Sequence, residues 1–328
     1  MFINSSNVLF MSMTIMGVMV SFSSMSLFMM WIGMEISLMS FIPIITMKSV
    51  LNSEFSIKYF IIQSLSSMII MLSMMMMMMK EYNFNSFLTC SLMMKMGSAP
   101  FHNWVVSTID GLLYEPIFFL LTLMKLSPLL MLSYLNMNLI IFIISSMIIG
   151  SINGLNQSSM KKLKKLLVFS SIYNLGLILY SLSINTIWIQ MMVIYSLILL
   201  SILIIMKKFK ITFLNQFMLI ENNNFKKMMI LFCLISLGGM PPFLGFQMKM
   251  MIFELMLINK NFILILIMIL SSMIILYYYV NMIISLLLFY SLTIKMITWF
   301  KMKIKLNFLL LMINLNLFFP LMMMKFLT

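Results

Sequence analysis

Ser236-Leu-Gly-Gly-Met-Pro-Pro-Phe-Leu-Gly-Phe-Gln-Met-Lys249 divides a long apolar segment that runs from about residue 228 to 258. The segment is longer than the ~20 residues that span a bilayer, and its middle holds four residues that interrupt helices: Gly238, Gly239, Pro241 and Pro242. An interrupted helix leaves backbone N–H and C=O groups that a membrane tolerates only where protein or water satisfies them. Because Lys249 follows within two turns, the stretch predicts a discontinuous transmembrane helix beside a polar interior.

A second interruption of the same kind lies in the apolar segment 84–106. Gly97-Ser-Ala-Pro100 stands within it, and Lys95 comes two residues before the glycine. Lys125 occupies the centre of the next apolar segment, 116–134. We therefore predict two discontinuous helices, each with a lysine near the middle of the membrane, and a third such lysine on the segment between them.

The composition of the whole chain is that of a membrane protein. Of its 328 residues, 63% are hydrophobic and only 9% are charged, whereas about a quarter of a soluble domain is charged. Hydropathy and helix breakers predict an all-α, polytopic transmembrane bundle of about eleven spans, forming one membrane domain over residues 1–328. The predicted spans lie near 3–22, 25–45, 57–79, 84–106, 116–134, 138–155, 166–184, 187–206, 228–258, 261–284 and 306–324.

The two ends of the chain and its lysines predict an orientation. Residues 1–22 lack the pattern of a cleavable signal and are predicted as the first span. With the N-terminus inside, fifteen lysines fall in inside loops and three outside, namely Lys80, Lys260 and Lys325. Inside loops are the positively charged ones, so we expect the N-terminus inside and the C-terminus outside. The net charge of +14 then indicates basic loops facing anionic phospholipid, and not binding to nucleic acid.

Two further features bear on the coding compartment and on cofactors. The chain has 47 methionines, and all 21 of its basic residues are lysine, a bias typical of an AT-rich genome that reads ATA as methionine, as in animal mitochondria.

Cys90 and Cys233 lie far apart in apolar segments, and no CxxC, Cys/His cluster or GxGxxG occurs. The sequence thus argues against a metal, an iron–sulfur cluster, a flavin or a nicotinamide cofactor on this chain.

Four charged residues remain within the predicted spans: Glu35, Lys95, Lys125 and Lys249. Each costs about 2.5–3.5 kcal/mol at mid-membrane on insertion scales, so such residues pair, face water or have a function. Burial favours a neutral amine and a nearby carboxylate favours an ammonium. A buried lysine that gains and loses a carboxylate partner can therefore take up and release a proton, and Glu35 is the predicted partner for one lysine.

Two other titratable residues are weaker candidates for a proton relay. Glu254 lies five residues after Lys249, and His102, the single histidine, follows the first interruption. A histidine there could pass protons between lysines. A structural histidine held by hydrogen bonds beside the interruption is an equally good interpretation.

Five blocks of residues, in order over about residues 30–250, resemble a known family. They are Trp31-Ile-Gly-Met-Glu35 with Phe41-Ile-Pro43, Lys58-Tyr-Phe-Ile-Ile-Gln63, Lys95-Met-Gly-Ser-Ala-Pro-Phe-His102-Asn-Trp104, Leu155-Asn-Gln157 with Ser170-Ser-Ile172, and the stretch that ends at Lys249. Together they are similar to subunit 2 of mitochondrial NADH:ubiquinone oxidoreductase, complex I, of the animal type. Each block alone is weak, and their number and order carry the resemblance.

The resemblance implies a fold and a role for each charged residue. The fold would contain two inverted repeats, near 25–155 and 166–284, and a final span at 306–324. The family's functional residues fall on four matching positions: a coupling glutamate at Glu35, the pumping lysine paired with it at Lys95, a connecting lysine at Lys125 and a terminal lysine at Lys249. We expect these lysines to line one hydrated axis.

The resemblance also implies a setting. The chain would be a non-redox, proton-translocating subunit in the membrane arm of the respiratory complex. It would lie in the mitochondrial inner membrane, with the N-terminus in the matrix and the C-terminus in the intermembrane space. Its partners would be other membrane-arm subunits, accessory subunits and phospholipids, while NADH, FMN, iron–sulfur clusters and ubiquinone would bind elsewhere in the complex.

The sequence departs from the family pattern at several positions. Leu123-Met124 replaces the family's Trp-Gln before the connecting lysine, and an extra Lys-Lys-Leu unit lies within 161–166. The histidine of the family's S-S-I-x-H block is Asn174 here, which leaves open any proton step that residue serves. After about residue 260 only the hydropathy matches.

Two other functions remain open. A stand-alone cation/proton antiporter would share the interrupted helices and intramembrane lysines, although the single aspartate, Asp110, lies at a span end and not within a span. A purely structural membrane subunit would need no charge at mid-membrane. Copurification separates these functions, because a complex I subunit should leave the membrane in mild detergent only within a very large assembly.

Overall fold

The structure, a computed structural model, confirms the all-α prediction. It describes residues 5–46, 50–79, 84–135, 139–159, 162–183, 187–209, 211–213, 216, 224–241 and 243–292. Within these residues lie thirteen α-helices: α1 (Ser5–Ser23), α2 (Leu27–Thr46), α3 (Val50–Met78), α4 (Asn85–Met96), α5 (Asn103–Ile109), α6 (Tyr114–Leu121), α7 (Leu123–Ser133), α8 (Ile140–Ser159), α9 (Leu163–Leu182), α10 (Ile187–Phe209), α11 (Asn224–Gly238), α12 (Leu244–Ile258) and α13 (Phe262–Leu292).

Membrane-spanning segments account for most of these helices. In the part of the chain that the structure describes, eight helical segments are long and apolar enough to cross a membrane, α6 and α7 together forming one of them. Two more predicted spans are each divided into two shorter helices, α4 with α5 and α11 with α12. The chain is thus a multi-pass membrane protein, and the predicted span at 306–324 lies outside the described residues.

Two helices are longer than their predicted spans. α3 begins at Val50, where hydropathy placed the span from residue 57, and α13 extends to Leu292 beyond the predicted 284. The first turns of α3 contain Asn52, Ser53 and Glu54. Hydropathy locates the apolar part of a helix, whereas hydrogen bonding of the backbone continues past it into the interfacial region.

The chain separates into two compact units. The first comprises Met1–Ile149 and Ser171–Trp188, and the second comprises Gly150–Ser170 and Ile189–Thr328. These units are defined by packing, and the inverted repeats expected near 25–155 and 166–284 stay a prediction.

In the first unit, small residues hold α1 and α2 in close contact. A Cβ added at Gly17 would lie 2.7 Å from the backbone nitrogen of Ser37, and one at Gly33 would lie 2.7 Å from the carbonyl oxygen of Gly17. Such close approach through small residues is a common way for transmembrane helices to associate. It fixes the position of α2, which carries Glu35.

In the second unit, α11, α12 and α13 pack on one another. A Cβ added at Gly245 would collide with the carbonyl oxygen of Ser236. The start of α12 therefore approaches the backbone of α11 closely, and only glycine permits this contact. This approach brings Lys249, one turn further along α12, to the interruption between the two helices.

Candidate functional site

The first predicted interruption is present. α4 ends at Met96 and α5 begins at Asn103, and Gly97 between them adopts the left-handed conformation, with φ 65° and ψ 35°. The N–H groups of Gly97 and Ser98 donate to the carbonyls of Met94 and Met93, each at 3.1 Å. This is a Schellman motif, which needs a left-handed residue and so favours glycine. The Ala99–Pro100 peptide bond that follows is cis.

Side chains from three other helices satisfy the carbonyl groups around this interruption. The Gln63 amide on α3 donates to the carbonyl of Lys95 (3.0 Å), the Trp104 indole on α5 to that of Met94 (3.1 Å), and the Ser145 hydroxyl on α8 to that of Ala99 (2.9 Å). Buried backbone groups need such partners in a membrane. The interruption is thus stabilised by neutral donors, and the Lys95 amine is not used for it.

The Lys95 amine instead pairs with Glu35. Its Nζ lies 3.0 Å from Oε1 of Glu35, and the lysine side chain is 3% exposed against 22% for the glutamate. The structure therefore confirms that Lys95 and Glu35 form an ion pair, and the role of this pair in proton transfer stays a prediction. A charge-assisted contact of this length is strong, and separating the charges would leave the lysine buried without its anion.

A small cavity, with room for about one water molecule, lies beside this pair. Its walls come from α2, α3, α4, α5, α6 and α7, and its polar lining residues are Ser37, Tyr59, Gln63, Lys95 and Ser127. The cavity thus connects the helix that carries Lys95 with the helix that carries Lys125.

Lys125 is buried on α7, and its Nζ lies 3.4 Å from the Ser171 hydroxyl on α9. Asn174, which stands at the position of the family's histidine, is half-buried one turn further along α9. The structure therefore brings a hydroxyl to Lys125 and places the asparagine nearby on the same helix. The roles expected for both residues stay predictions.

The span that carries Lys125 contains a third interruption that the sequence did not predict. α6 ends at Leu121 and α7 begins at Leu123, and Thr122 between them has φ −120° and ψ −74°. The Thr122 hydroxyl donates to the carbonyl of Phe118 at 2.6 Å. Such bonding of a threonine back to its own helix bends helices, and a threonine within an apolar run was the available signal.

The second predicted interruption is also present. α11 ends at Gly238, α12 begins at Leu244, and Gly239 has φ 75°. The Lys249 amine donates to the carbonyl of Gly238 at 2.7 Å. A Cβ added at Gly239 would lie 2.6 Å from that amine. The absence of a side chain at Gly239 therefore leaves room for the Lys249 amine. Pro242 lies outside the described residues.

The weaker relay candidates occupy different environments. His102 is buried in the first interruption, with Nδ1 3.1 Å from the carbonyl oxygen of Pro100, which agrees with the structural interpretation. Glu254 is exposed on α12. Lys95 and Lys125 belong to the first packing unit and Lys249 to the second, and the common axis of the three lysines stays a prediction.

Several residues that build this site were missed by the sequence reasoning. Gln63, Tyr59 and Ser171 belong to blocks that were noted without a role for these residues, and Ser145 was not noted at all. Tyr59 and Gln63 are four residues apart in an apolar helix, which places them on one face. That polar spacing was the signal that could have found them.

The fold and the buried charges are those of an antiporter-like membrane subunit. The model of one such family, described as NADH:quinone oxidoreductase/Mrp antiporter, transmembrane, matches residues 24–87 and 78–275. The chain also resembles a chain of the structure described as respiratory complex I from Thermus thermophilus with bound aureothin, with a TM-score of 0.77 and 19% identity over 86% of this chain and 70% of that one. This likeness concerns the fold.

Relatives in sequence narrow the class to one family. The chain is 39% identical over 274 residues to NADH-ubiquinone oxidoreductase chain 2 of Anopheles gambiae, covering 79% of this chain and 80% of the relative. It is 36% identical over 285 residues to the protein of the same name from Locusta migratoria, covering 82% of each. The chain therefore belongs to the NADH-ubiquinone oxidoreductase chain 2 family.

Proposed function

We propose that this chain translocates protons in the membrane arm of NADH:ubiquinone oxidoreductase, in the mitochondrial inner membrane, without redox chemistry of its own. The family to which the chain belongs supports its place in this complex. The observation that carries the proton role is the Glu35–Lys95 pair, at 3.0 Å, held at an interrupted helix. A buried pair of this kind is costly, and charged residues kept within a membrane usually mark a proton or ion pathway.

The proposed step is an exchange of partners by Lys95. While Glu35 faces it, the ammonium form is stabilised, and when the carboxylate turns away, a buried amine favours the neutral form and gives up its proton. An N–H bond breaks at Lys95 and an O–H bond forms on a water molecule. Return of the carboxylate reverses the preference, and Lys95 takes up a proton again.

The remaining charged residues extend this step. Lys125, beside the Ser171 hydroxyl, and Lys249, beside the Gly238 carbonyl, would receive and pass on the proton along the membrane. Asn174 replaces a titratable side chain, so it can orient water but cannot carry the proton itself. His102 and Glu254 are kept as secondary candidates.

The setting follows from the same membership. Other membrane-arm subunits, accessory subunits and phospholipids would cover the exposed apolar faces, and NADH, FMN, iron–sulfur clusters and ubiquinone would bind to other subunits. The lysine distribution favours the N-terminus in the matrix and the C-terminus in the intermembrane space.

Replacement of Lys95 by Met in the assembled complex tests the proposal. Methionine keeps length and apolarity but removes the proton carrier, so we expect assembly to persist and proton pumping coupled to NADH oxidation to fall at least tenfold. Dye-reported acidification of proteoliposomes per NADH oxidised is the measurement. Lys260→Met, at an exposed turn between α12 and α13, is the matched control, and equal pumping by the two variants would refute the assignment.

A further inference from the structure

Tyr59 carries a buried hydroxyl that has no hydrogen-bond partner among the described residues. The side chain is 1% exposed, and its ring packs against Phe41 and Trp104 at centroid distances of 5.3 and 5.8 Å. Packing explains the ring but not the hydroxyl, because phenylalanine would pack as well. Buried polar groups almost always have a partner, and an unsatisfied one is costly.

The cavity beside Lys95 offers this hydroxyl a partner. Tyr59 and Gln63 line it one turn apart on α3, and Lys95 and Ser127 line it from α4 and α7. Glu35 contacts the amine of Lys95, which lines the same cavity. A buried water molecule needs two to four polar partners and room for its own volume, and the enclosed part of this cavity provides both for about one water molecule.

We propose that the Tyr59 hydroxyl binds a water molecule in this cavity, and that this water is the alternative partner of the Lys95 amine when it leaves Glu35. The presence of the water follows from the unsatisfied hydroxyl and the cavity. Its role toward Lys95 rests on the proposed function.

The residues that line the cavity place this water between two helices that carry lysines. Its far wall includes Met124, Ser127 and Pro128 of α7, and Lys125 lies on the same turn of that helix. A water held by Tyr59 therefore lies between the helix of the paired lysine and the helix of the next one. Tyr59 acts here as a positioning residue, since it holds the water and does not itself carry the charge.

Tyr59→Phe in the assembled complex tests the proposal, because it removes one oxygen atom and keeps the ring. In a density map that resolves ordered water, we expect the wild-type enzyme to show water within hydrogen-bond distance of the Tyr59 hydroxyl, and the variant to have lost it. Coupled turnover should fall about fivefold, the size of one lost hydrogen bond. Tyr195→Phe, at an equally buried tyrosine on α10, should change turnover less than twofold.

The outcomes separate this inference from the proposed function. A dry cavity in a wild-type map that shows ordered water elsewhere would overturn the binding site. Water lost in Tyr59→Phe with unchanged coupled turnover would overturn its role, even though Lys95→Met abolished pumping. If Lys95→Met itself had no effect, the proposed function would fail, while the water density would still decide the site.

Discussion

The two interrupted helices use similar sequences in different ways. At the first, the side chains of Gln63, Trp104 and Ser145 donate to the carbonyl groups, and the Lys95 amine pairs with a carboxylate. At the second, the Lys249 amine itself donates to the carbonyl of Gly238, the last residue of α11. A cation at the C-terminal end of a helix is also favoured by the helix dipole.

At the first interruption, the side chains that stabilise the helix end are different from the lysine that would carry the proton. At the second, Lys249 would do both. Lys95 can change partners without leaving the carbonyls of α4 unsatisfied, because neutral side chains keep their hydrogen bonds. Lys249 gives up a hydrogen bond to the backbone whenever its amine turns away, and this bond weakens when the amine loses its charge. At the first interruption, Lys95 can therefore exchange partners without disturbing the helix end. At the second, a change in the protonation of Lys249 alters a hydrogen bond to the end of α11.

The largest expected effect tests the ion pair. Lys95→Met leaves the Glu35 carboxylate without its cation, and breaking such a pair costs about 3 kcal/mol, the low end of the usual range because the glutamate is 22% exposed. The double variant Glu35→Gln, Lys95→Met removes both charges and should recover most of that loss. Thermal unfolding of the assembled complexes, compared in a double-mutant cycle, measures the coupling.

The same double-mutant cycle can also contradict the predicted interaction between Glu35 and Lys95. If the free-energy changes of the two single variants simply add in the double variant, Glu35 and Lys95 do not interact in the folded protein. Pumping provides the second readout. The double variant should regain stability and still fail to pump, since the proton carrier is absent.

A smaller effect is expected from the neutral support of the first interruption. Gln63→Leu removes the donor to the carbonyl of Lys95 and leaves that carbonyl buried, at a cost of about 2 kcal/mol. Ser64→Ala, which removes only a hydroxyl bonded within its own exposed helix face, is the control. A thermal midpoint for Gln63→Leu equal to that of Ser64→Ala would show that the interruption does not depend on this hydrogen bond.

The sequence predicted what is local in this site. Glycine, proline and a lysine within one apolar run predicted both interruptions, because each of these residues acts on its own turn of helix. The charge count then predicted that Glu35 must have a partner among three lysines. The choice of Lys95 came from the resemblance to a family, not from the residues themselves.

What the sequence could not predict depends on packing between distant segments. Gln63 reaches a carbonyl 32 residues away, and Ser145 reaches one 46 residues away. A glutamine or serine in an apolar helix can bond within its own helix, to a neighbour or to water, and only the packed structure selects among these. The interruption at Thr122 was missed for a different reason: its hydrogen bond to Phe118 is local, but threonine is often accommodated in a continuous helix.

The smallest expected effect compares adjacent glycines at the second interruption. Gly239 has φ 75°, and an added Cβ would lie 2.6 Å from the Lys249 amine. Alanine in the left-handed conformation costs about 1 kcal/mol, and the flexible end of the lysine can move aside. We therefore expect Gly239→Ala to lower stability slightly and to displace Lys249 from the carbonyl of Gly238.

Gly238→Ala is the matched control, because the added Cβ would make only an ordinary contact, 3.4 Å from the Cβ of Tyr279. It should leave stability within about 0.5 kcal/mol of the wild type, as substitutions without strain usually do. A density map of each assembled variant measures the distance from the Lys249 amine to the carbonyl of residue 238. If the amine kept its 2.7 Å contact in Gly239→Ala, the glycine would not be what admits the lysine. The second interruption would then be supported, like the first, by groups other than its own lysine.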